Sequence, residues 1–127
     1  MPSDDKITFD SNIRKISKSY YLRVPKQIKK HLLYQNGMNI KLMSEKGQFG
    51  KYMTFWAPSQ QVKDMPKTDK LTLNTKIRKM GSSYYIRMPQ EAQKYLNLRE
   101  NSRIEMQVEA GKFGKYVSFW PRAWRKD

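Results

Sequence analysis

The 127-residue sequence predicts a mostly β protein with two short helices, built from two β-β-α-β-β repeats that share one compact domain. Three observations predict this. Residues 1–57 align with 65–121 without a gap at a constant offset of 64, and 24 of the 57 aligned positions are identical. An internal repeat of this kind decides the architecture before any single element does. Within each copy, four short stretches alternate apolar and polar residues as half-buried strands do. A proline after the second stretch of each copy, Pro25 and Pro89, opens a short segment with helical spacing.

The first strand is predicted over 7–16 (ITFDSNIRKI) and 71–80 (LTLNTKIRKM), and turns at 17–19 and 81–83 follow. The second strand is YYLRV at 20–24 and YYIRM at 84–88. Successive side chains point to opposite faces of a strand. Tyr20, Leu22 and Val24 should therefore look inward and Tyr21 and Arg23 outward, as should Tyr85 and Arg87 opposite Tyr84, Ile86 and Met88. Pro25 and Pro89 suit a first helical turn, where a missing N–H costs nothing. Ile28 and Leu32, like Ala92 and Leu96, stand four residues apart and share a helix face, which leaves Lys29 and Lys30 exposed. Asn36-Gly37 and Glu100-Asn101 are expected to close the helices. A third strand near 38–45 and 103–109 and a fourth at 51–56 and 115–120 flank glycine-containing hairpin loops, KGQFG and AGKFG.

The predicted layout is repeat 1 over 1–57, a polar linker over 58–70, repeat 2 over 71–121 and a short tail over 122–127. Each repeat alone is near the size at which a core is marginal, so the two are expected to share one.

Charge narrows the partner. The chain carries 26 Lys and Arg against 11 Asp and Glu, a net +15, divided as +7 over 1–64 and +8 over 65–127. Basicity built into both copies points to a polyanion met by folded surface, with nucleic acid foremost. Basic residues recur at Lys6/Lys70, Arg14/Arg78, Lys15/Lys79, Arg23/Arg87, Lys30/Lys94 and Lys51/Lys115. No transmembrane stretch, signal peptide or lipidation motif is found, so no membrane partner is expected. The absence of cysteine fits a reducing interior, and a cytoplasmic protein is the expectation.

The stretches IRKISKSYYLRVP (13–25) and IRKMGSSYYIRMP (77–89), each followed by a short helix and two strands, resemble the AbrB/MazE/SpoVT family of swapped-hairpin DNA-binding proteins. The second copy looks closest to the MazE antitoxin type. The resemblance covers about nine tenths of the chain. It implies a barrel of two interleaved units with basic first hairpins along duplex DNA, here an intramolecular pseudo-dimer. The family's DNA-contacting positions carry onto Arg14, Lys15, Arg78 and Lys79 in the first strands and onto Arg23 and Arg87 before the prolines. The paired tyrosines, the FGKY hairpin and the FW strand ending depart from the family pattern.

From the residues alone, Arg14 and Arg23 are the strongest contacts, because arginine holds phosphate or guanine bidentately. Arg14 and Lys15 fall on opposite faces of their strand, so only one of them can meet a flat partner. Lys15, Lys29 and Lys30 and, in the copy, Lys79 and Lys94 would contact phosphates, with the turn serines Ser19 and Ser83 and the outward Tyr21 and Tyr85 beside them. Phe55-Trp56 and Phe119-Trp120 read as packing more than as a base-stacking platform. The Gly-x-x-Gly loops read as turns, and FGKYVSF misses the RNP1 strand of RRM domains by one residue, which would invert every following side chain.

His31 is matched by Tyr95, which suits packing better than acid-base or metal chemistry. No catalytic set, metal-ligand spacing or P-loop is present, so a non-enzyme with no metal, cofactor or small-molecule substrate is expected. The leading expectation is a prokaryotic, archaeal or viral, protein that binds double-stranded DNA in the nucleoid, as transcription regulator or chromatin-organising factor, with further homo-oligomerisation open. The alternatives are an antitoxin bound to a toxin protein, for which the tail is short, and a single-stranded DNA or RNA binder using its aromatic strands.

Overall fold

The computed structural model describes residues 8–32, 34–47, 50–56, 71–111 and 114–122. The linker over 58–70, Lys6, Lys70, the aromatic loop residues Phe49 and Phe113, and the tail beyond Arg122 lie outside the described residues. Repeat 1 supplies β1 (Thr8–Ile16), β2 (Ser19–Val24), α1 (Lys26–Leu32), β3 (Asn39–Gly47) and β4 (Gly50–Trp56). Repeat 2 supplies β5 (Thr72–Met80), β6 (Ser83–Met88), α2 (Gln90–Leu96), β7 (Arg103–Gly111) and β8 (Gly114–Pro121). The third and fourth strands run up to two residues beyond the ranges the alternation predicts, because pairing continues into the glycines at Gly47↔Gly50 and Gly111↔Gly114.

The strands close into one antiparallel barrel in the order β1-β2-β6-β5-β3-β4-β8-β7. Each first hairpin lies between strands of the other copy: β1-β2 between β7 and β6, and β5-β6 between β3 and β2. The registers repeat at the offset of 64, so Ser11↔Ile104 has its counterpart in Thr75↔Ile40. Where the copies meet their own equivalents, Leu22 pairs with Ile86 and Thr54 with Ser118.

Each first strand divides its length between two partners. Residues 8–12 of β1 pair with β7 and residues 13–16 pair with β2. At the changeover the Ile13 N–H donates to the Ser102 carbonyl at 2.9 Å, and the Ile13 carbonyl accepts from the Asn101 N–H at 2.9 Å. Ile77 repeats this with Met38 and Gly37 at 3.0 and 2.8 Å. The barrel corner is thereby hydrogen-bonded instead of left open, as buried backbone requires.

An eight-stranded barrel is just wide enough for side chains to fill its interior. Here the filling is Ile13, Leu22, Ile77 and Ile86 from the first hairpins and Leu42, Met53, Phe55, Met106, Val117 and Phe119 from the second ones, all fully buried. Phe55 and Phe119 meet at 5.7 Å between ring centres, and Tyr34 reaches Phe55 at 6.0 Å. Ile28, Leu32, Ala92 and Leu96 join this core, as their spacing predicts.

The helix ends differ from expectation in detail. Pro89 occupies the cap position in front of α2 and not its first turn, with an extended ψ of 157°. Its φ of −59° is the value a proline ring enforces. The helix is closed by Asn97 at a left-handed φ of 55°, whose N–H bonds back to Lys94 at 3.3 Å. Gly37 (φ 89°) and Asn101 (φ 68°) form the next turn, which carries the chain into β3 and β7.

Candidate nucleic-acid interface

The outward face of β1-β2-β6-β5 is the most basic feature that the strand registers build. Because Ile13, Leu22, Ile77 and Ile86 point into the barrel, their neighbours point out. The register lines those neighbours up in two rows. Arg14, Tyr21 and Arg87 stand side by side on β1, β2 and β6. Arg23, Tyr85 and Arg78 stand side by side on β2, β6 and β5. Four exposed arginines thus surround two tyrosines, with Leu22 and Ile86 beneath the centre.

The tyrosines brace this array. Tyr85 is only 6% exposed although its strand position faces outward, and its hydroxyl accepts a hydrogen bond from the Arg14 guanidinium at 3.2 Å, across the two rows. Tyr21, its counterpart, is half-buried. Both rings therefore serve first as a packed floor beneath the arginines, and Tyr85 offers little surface of its own.

The backbone of the arginines is held from below. The Ser11 hydroxyl donates to the Arg23 carbonyl at 2.5 Å, and Thr75, its counterpart, donates to the Arg87 carbonyl at 2.7 Å. These bonds replace ladder pairing where β1 and β5 turn away from β2 and β6. Sequence reasoning passed over Ser11 and Thr75. Their signal was a hydroxyl at matched positions two residues before Ile13 and Ile77, on the inward side of the strand.

The other expected residues spread out. Lys15 and Lys79 are exposed but share the inward side of their strands with Ile13 and Ile77, beyond the barrel rim, and pair with Tyr20 and Tyr84. The Lys15 ammonium lies 6.0 Å from the Tyr20 ring centre. They are therefore not part of the arginine array. Ser19 and Ser83 open β2 and β6 on the outward side, at half-buried positions. Lys30 and Lys94 are exposed on the helices, away from these two rows. Lys29, expected in solvent, is half-buried with its ammonium 4.5 Å from the Tyr84 ring centre.

The outward side of the opposite sheet, β3-β4-β8-β7, has another chemistry. Lys41, Trp56, Tyr116 and Glu109 form one row across its four strands. Glu109 accepts from the Ser118 hydroxyl at 2.6 Å and from Tyr116 at 3.3 Å, while Glu105 accepts from the Trp120 indole at 2.9 Å. Burial, reinforced by Glu109, pushes the Tyr116 hydroxyl up to about 12. Phe55, Trp56, Phe119 and Trp120 are all buried, so these strands present no open aromatic platform.

His31 lies apart from the arginine array, against the β7-β8 hairpin. Burial and the nearby Lys115 lower its pKa, while a hydrogen bond with the Glu109 backbone pulls the other way. Tyr95 makes the equivalent contact, donating to the Glu45 carbonyl at 2.5 Å. Among the described residues no group of three or more His, Asp or Glu could hold a metal ion, and no helix is long and apolar enough to cross a membrane. The chain matches no protein-family model, no curated protein and no solved structure.

Proposed function

We propose that the protein binds double-stranded DNA through the arginine face of β1-β2-β6-β5, acting by binding and not by catalysis, as a nucleoid-associated transcription regulator or chromatin-organising factor. The observation that carries this reading is the pair of Arg-Tyr-Arg rows, repeated at the offset of 64 and braced by Tyr85, Ser11 and Thr75. From β1 to β5 the array spans three strand spacings, about 14 Å, close to the width of a B-DNA major groove at about 12 Å. Guanidinium groups spread over such a width can reach phosphates on both walls while the central pair meets base edges.

The insertion of each first hairpin between strands of the other copy supports a swapped-hairpin, AbrB-like pseudo-dimer in a single chain. In that arrangement one chain supplies two equivalent cationic hairpins, which suits a two-fold target such as a duplex. Single-stranded nucleic acid is less well served, since stacking on bases needs open rings and Phe55, Trp56, Phe119 and Trp120 are buried.

The test is duplex binding by gel shift or fluorescence anisotropy at two salt concentrations. Contact with six to ten phosphates should lower affinity by roughly a thousand- to a hundred-thousand-fold between 50 and 200 mM salt. Replacing Arg14 and Arg78 together by Ala should weaken binding at least tenfold with the melting temperature nearly unchanged, since both side chains are exposed. Salt-independent binding, or equal affinity of the variant, overturns the reading. Preference for a single strand or RNA over duplex in competition favours the alternative binder, and tight capture of a toxin with no duplex binding favours the antitoxin.

A further inference from the structure

Some departures from the internal repeat change the chemistry of one end of the barrel. There α2, the turn after it, the start of β4 and the end of β8 surround an open recess of about 950 Å³. Lys51, Lys94, Arg99, Arg103 and Arg122 line it with no carboxylate among the lining residues. Within the described residues no carboxylate pairs with Lys94, Arg99, Arg103 or Arg122. Lys51 is steadied over the Tyr95 ring at 5.1 Å.

The wall that carries the arginines is built to hold its shape. The Arg99 N–H donates to the Ser102 hydroxyl at 2.8 Å, and the Ser102 N–H returns to the Arg99 carbonyl at 3.0 Å. The same turn is bonded to Ile13 of β1, in the hairpin that presents Arg14 and Arg23. The other copy has the same scaffold with different side chains. Gln35 stands where Arg99 does, Asn39 where Arg103 does, and Pro58 is the sequence equivalent of Arg122. The other copy keeps a lysine at the positions of Lys94 and Lys51, Lys30 and Lys115, but not this arginine set.

A second, smaller recess of about 340 Å³ joins the arginine end to the proposed DNA face. It is lined by Arg23, Arg103 and Arg122 together with Asp10, Ser11 and Asn12. Arg103 sits on β7 directly beside Asn12 of β1. Arg103 and Arg122 line both recesses, so cationic surface continues from Arg23 to Arg99, with Asp10 the one carboxylate along the way.

From this continuity we infer that the recess holds backbone phosphates of the duplex beyond the segment under the hairpins, on the α2-β7 side only. The protein then binds DNA with a direction, although its arginine face is two-fold. This rests on the duplex-binding reading above and extends it: duplication in one chain lets the two ends of a symmetrical reader diverge, which a homodimer cannot do.

The experiment measures the salt dependence of duplex affinity for the full chain and two variants of equal charge. Arg99→Gln with Arg103→Asn gives the recess the other copy's residues, and Lys26→Gln with Lys41→Gln removes two charges from repeat 1, outside both recesses and the arginine rows. Loss of two phosphate contacts should reduce the slope of log affinity against log salt by about 1.8, so that the affinity ratio between 50 and 200 mM salt shrinks about twelvefold. The lysine variant should keep the parental slope. Melting temperatures confirm that both variants are folded, and titration of inorganic triphosphate in calorimetry checks for a small-anion pocket.

Equal slope changes in both variants, or no change in the arginine variant while the parent binds duplex, overturn the directional inference and leave duplex binding standing. Triphosphate binding lost in the arginine variant, with an unaltered duplex slope, assigns the recess to a small ligand and also overturns it. Failure of the parent chain to bind duplex at any salt removes both readings together.

Discussion

At the scale of single residues, the two copies differ most tellingly where one side chain lacks its partner. Trp120 donates its indole N–H to Glu105, and both residues face outward on adjacent strands. Trp56 has the same environment with Lys41 as its neighbour. Lysine has no acceptor to offer, and the Trp56 indole nitrogen is buried without a hydrogen bond. A buried unsatisfied donor costs about 1–3 kcal/mol. Lys41→Glu should recreate the pair and raise stability by about 1 kcal/mol, seen as a melting temperature about 4 °C higher. A melting temperature that stays level or falls would show that the indole is not the penalty. The alternation along β3 and β4 told which side chains share a face, but nothing local to residues 41 or 56 says that they are opposite one another. That fact belongs to register, and so the orphaned donor was invisible in the sequence.

At the scale of elements, the strands were legible and their partners were not. Period-two patterning located the four strands of each copy to within about two residues, and it sorted Tyr21 and Arg23 from Tyr20, Leu22 and Val24 correctly. It also separated Arg14 from Lys15, which leaves Arg14 in the array and Lys15 at the rim. It did not reveal that Tyr85, facing outward, is sealed beneath arginines, because Arg14 reaches it from β1, two strands away on the same face. The helices illustrate the same limit. Seven residues are too few for an independent helix, so each depends on what it packs against. What it packs against is the long hairpin of the other copy, through His31 on the Glu109 backbone and Tyr95 on Glu45.

Burial of His31, with Lys115 nearby, makes stability sensitive to pH. His31 has a folded pKa below the ordinary 6.5, so the unfolded chain takes up the proton more readily. Its contribution should be fully present above about pH 6.5 and fade as pH falls through the lowered folded value. Thermal melts between pH 5 and 8 should record this fall, and His31→Tyr, which copies Tyr95, should flatten it. A parental profile without that slope, or a variant that keeps it, would assign the pH dependence elsewhere.

For the whole molecule, charge and topology divide the labour. The basic rows lie on one side of the barrel, whereas Glu105 and Glu109 lie among aromatics on the other, so the proposed polyanion partner has one face to meet. Composition gave only the expectation of such a partner, which duplex binding tests, whereas the repeat made the doubling legible. The interleaving of hairpins was expected from the family resemblance, not from any periodicity in the chain, because pairing between residues 29 to 99 apart leaves no local trace. Interleaving also predicts that neither 1–64 nor 65–127, produced separately, forms a folded monomer. Each should remain unfolded by circular dichroism or self-associate by sedimentation, and mixing the two should restore one barrel. A folded monomeric half would show that the copies are independent.

The partner change in β1 has a consequence for how the molecule comes into being. The strand nearest the N-terminus finds its lasting neighbours only in β2, close by, and in β7, about ninety residues later on the chain. As the polypeptide leaves the ribosome, its opening hairpin must wait, with the β2 flank bare until β6 is made and the β1 flank bare until β7 follows. Contacts so distant along the chain slow closure, and in that interval the waiting hairpin can dock into a neighbouring nascent chain. Synthesis at high density should therefore favour entwined pairs over single barrels.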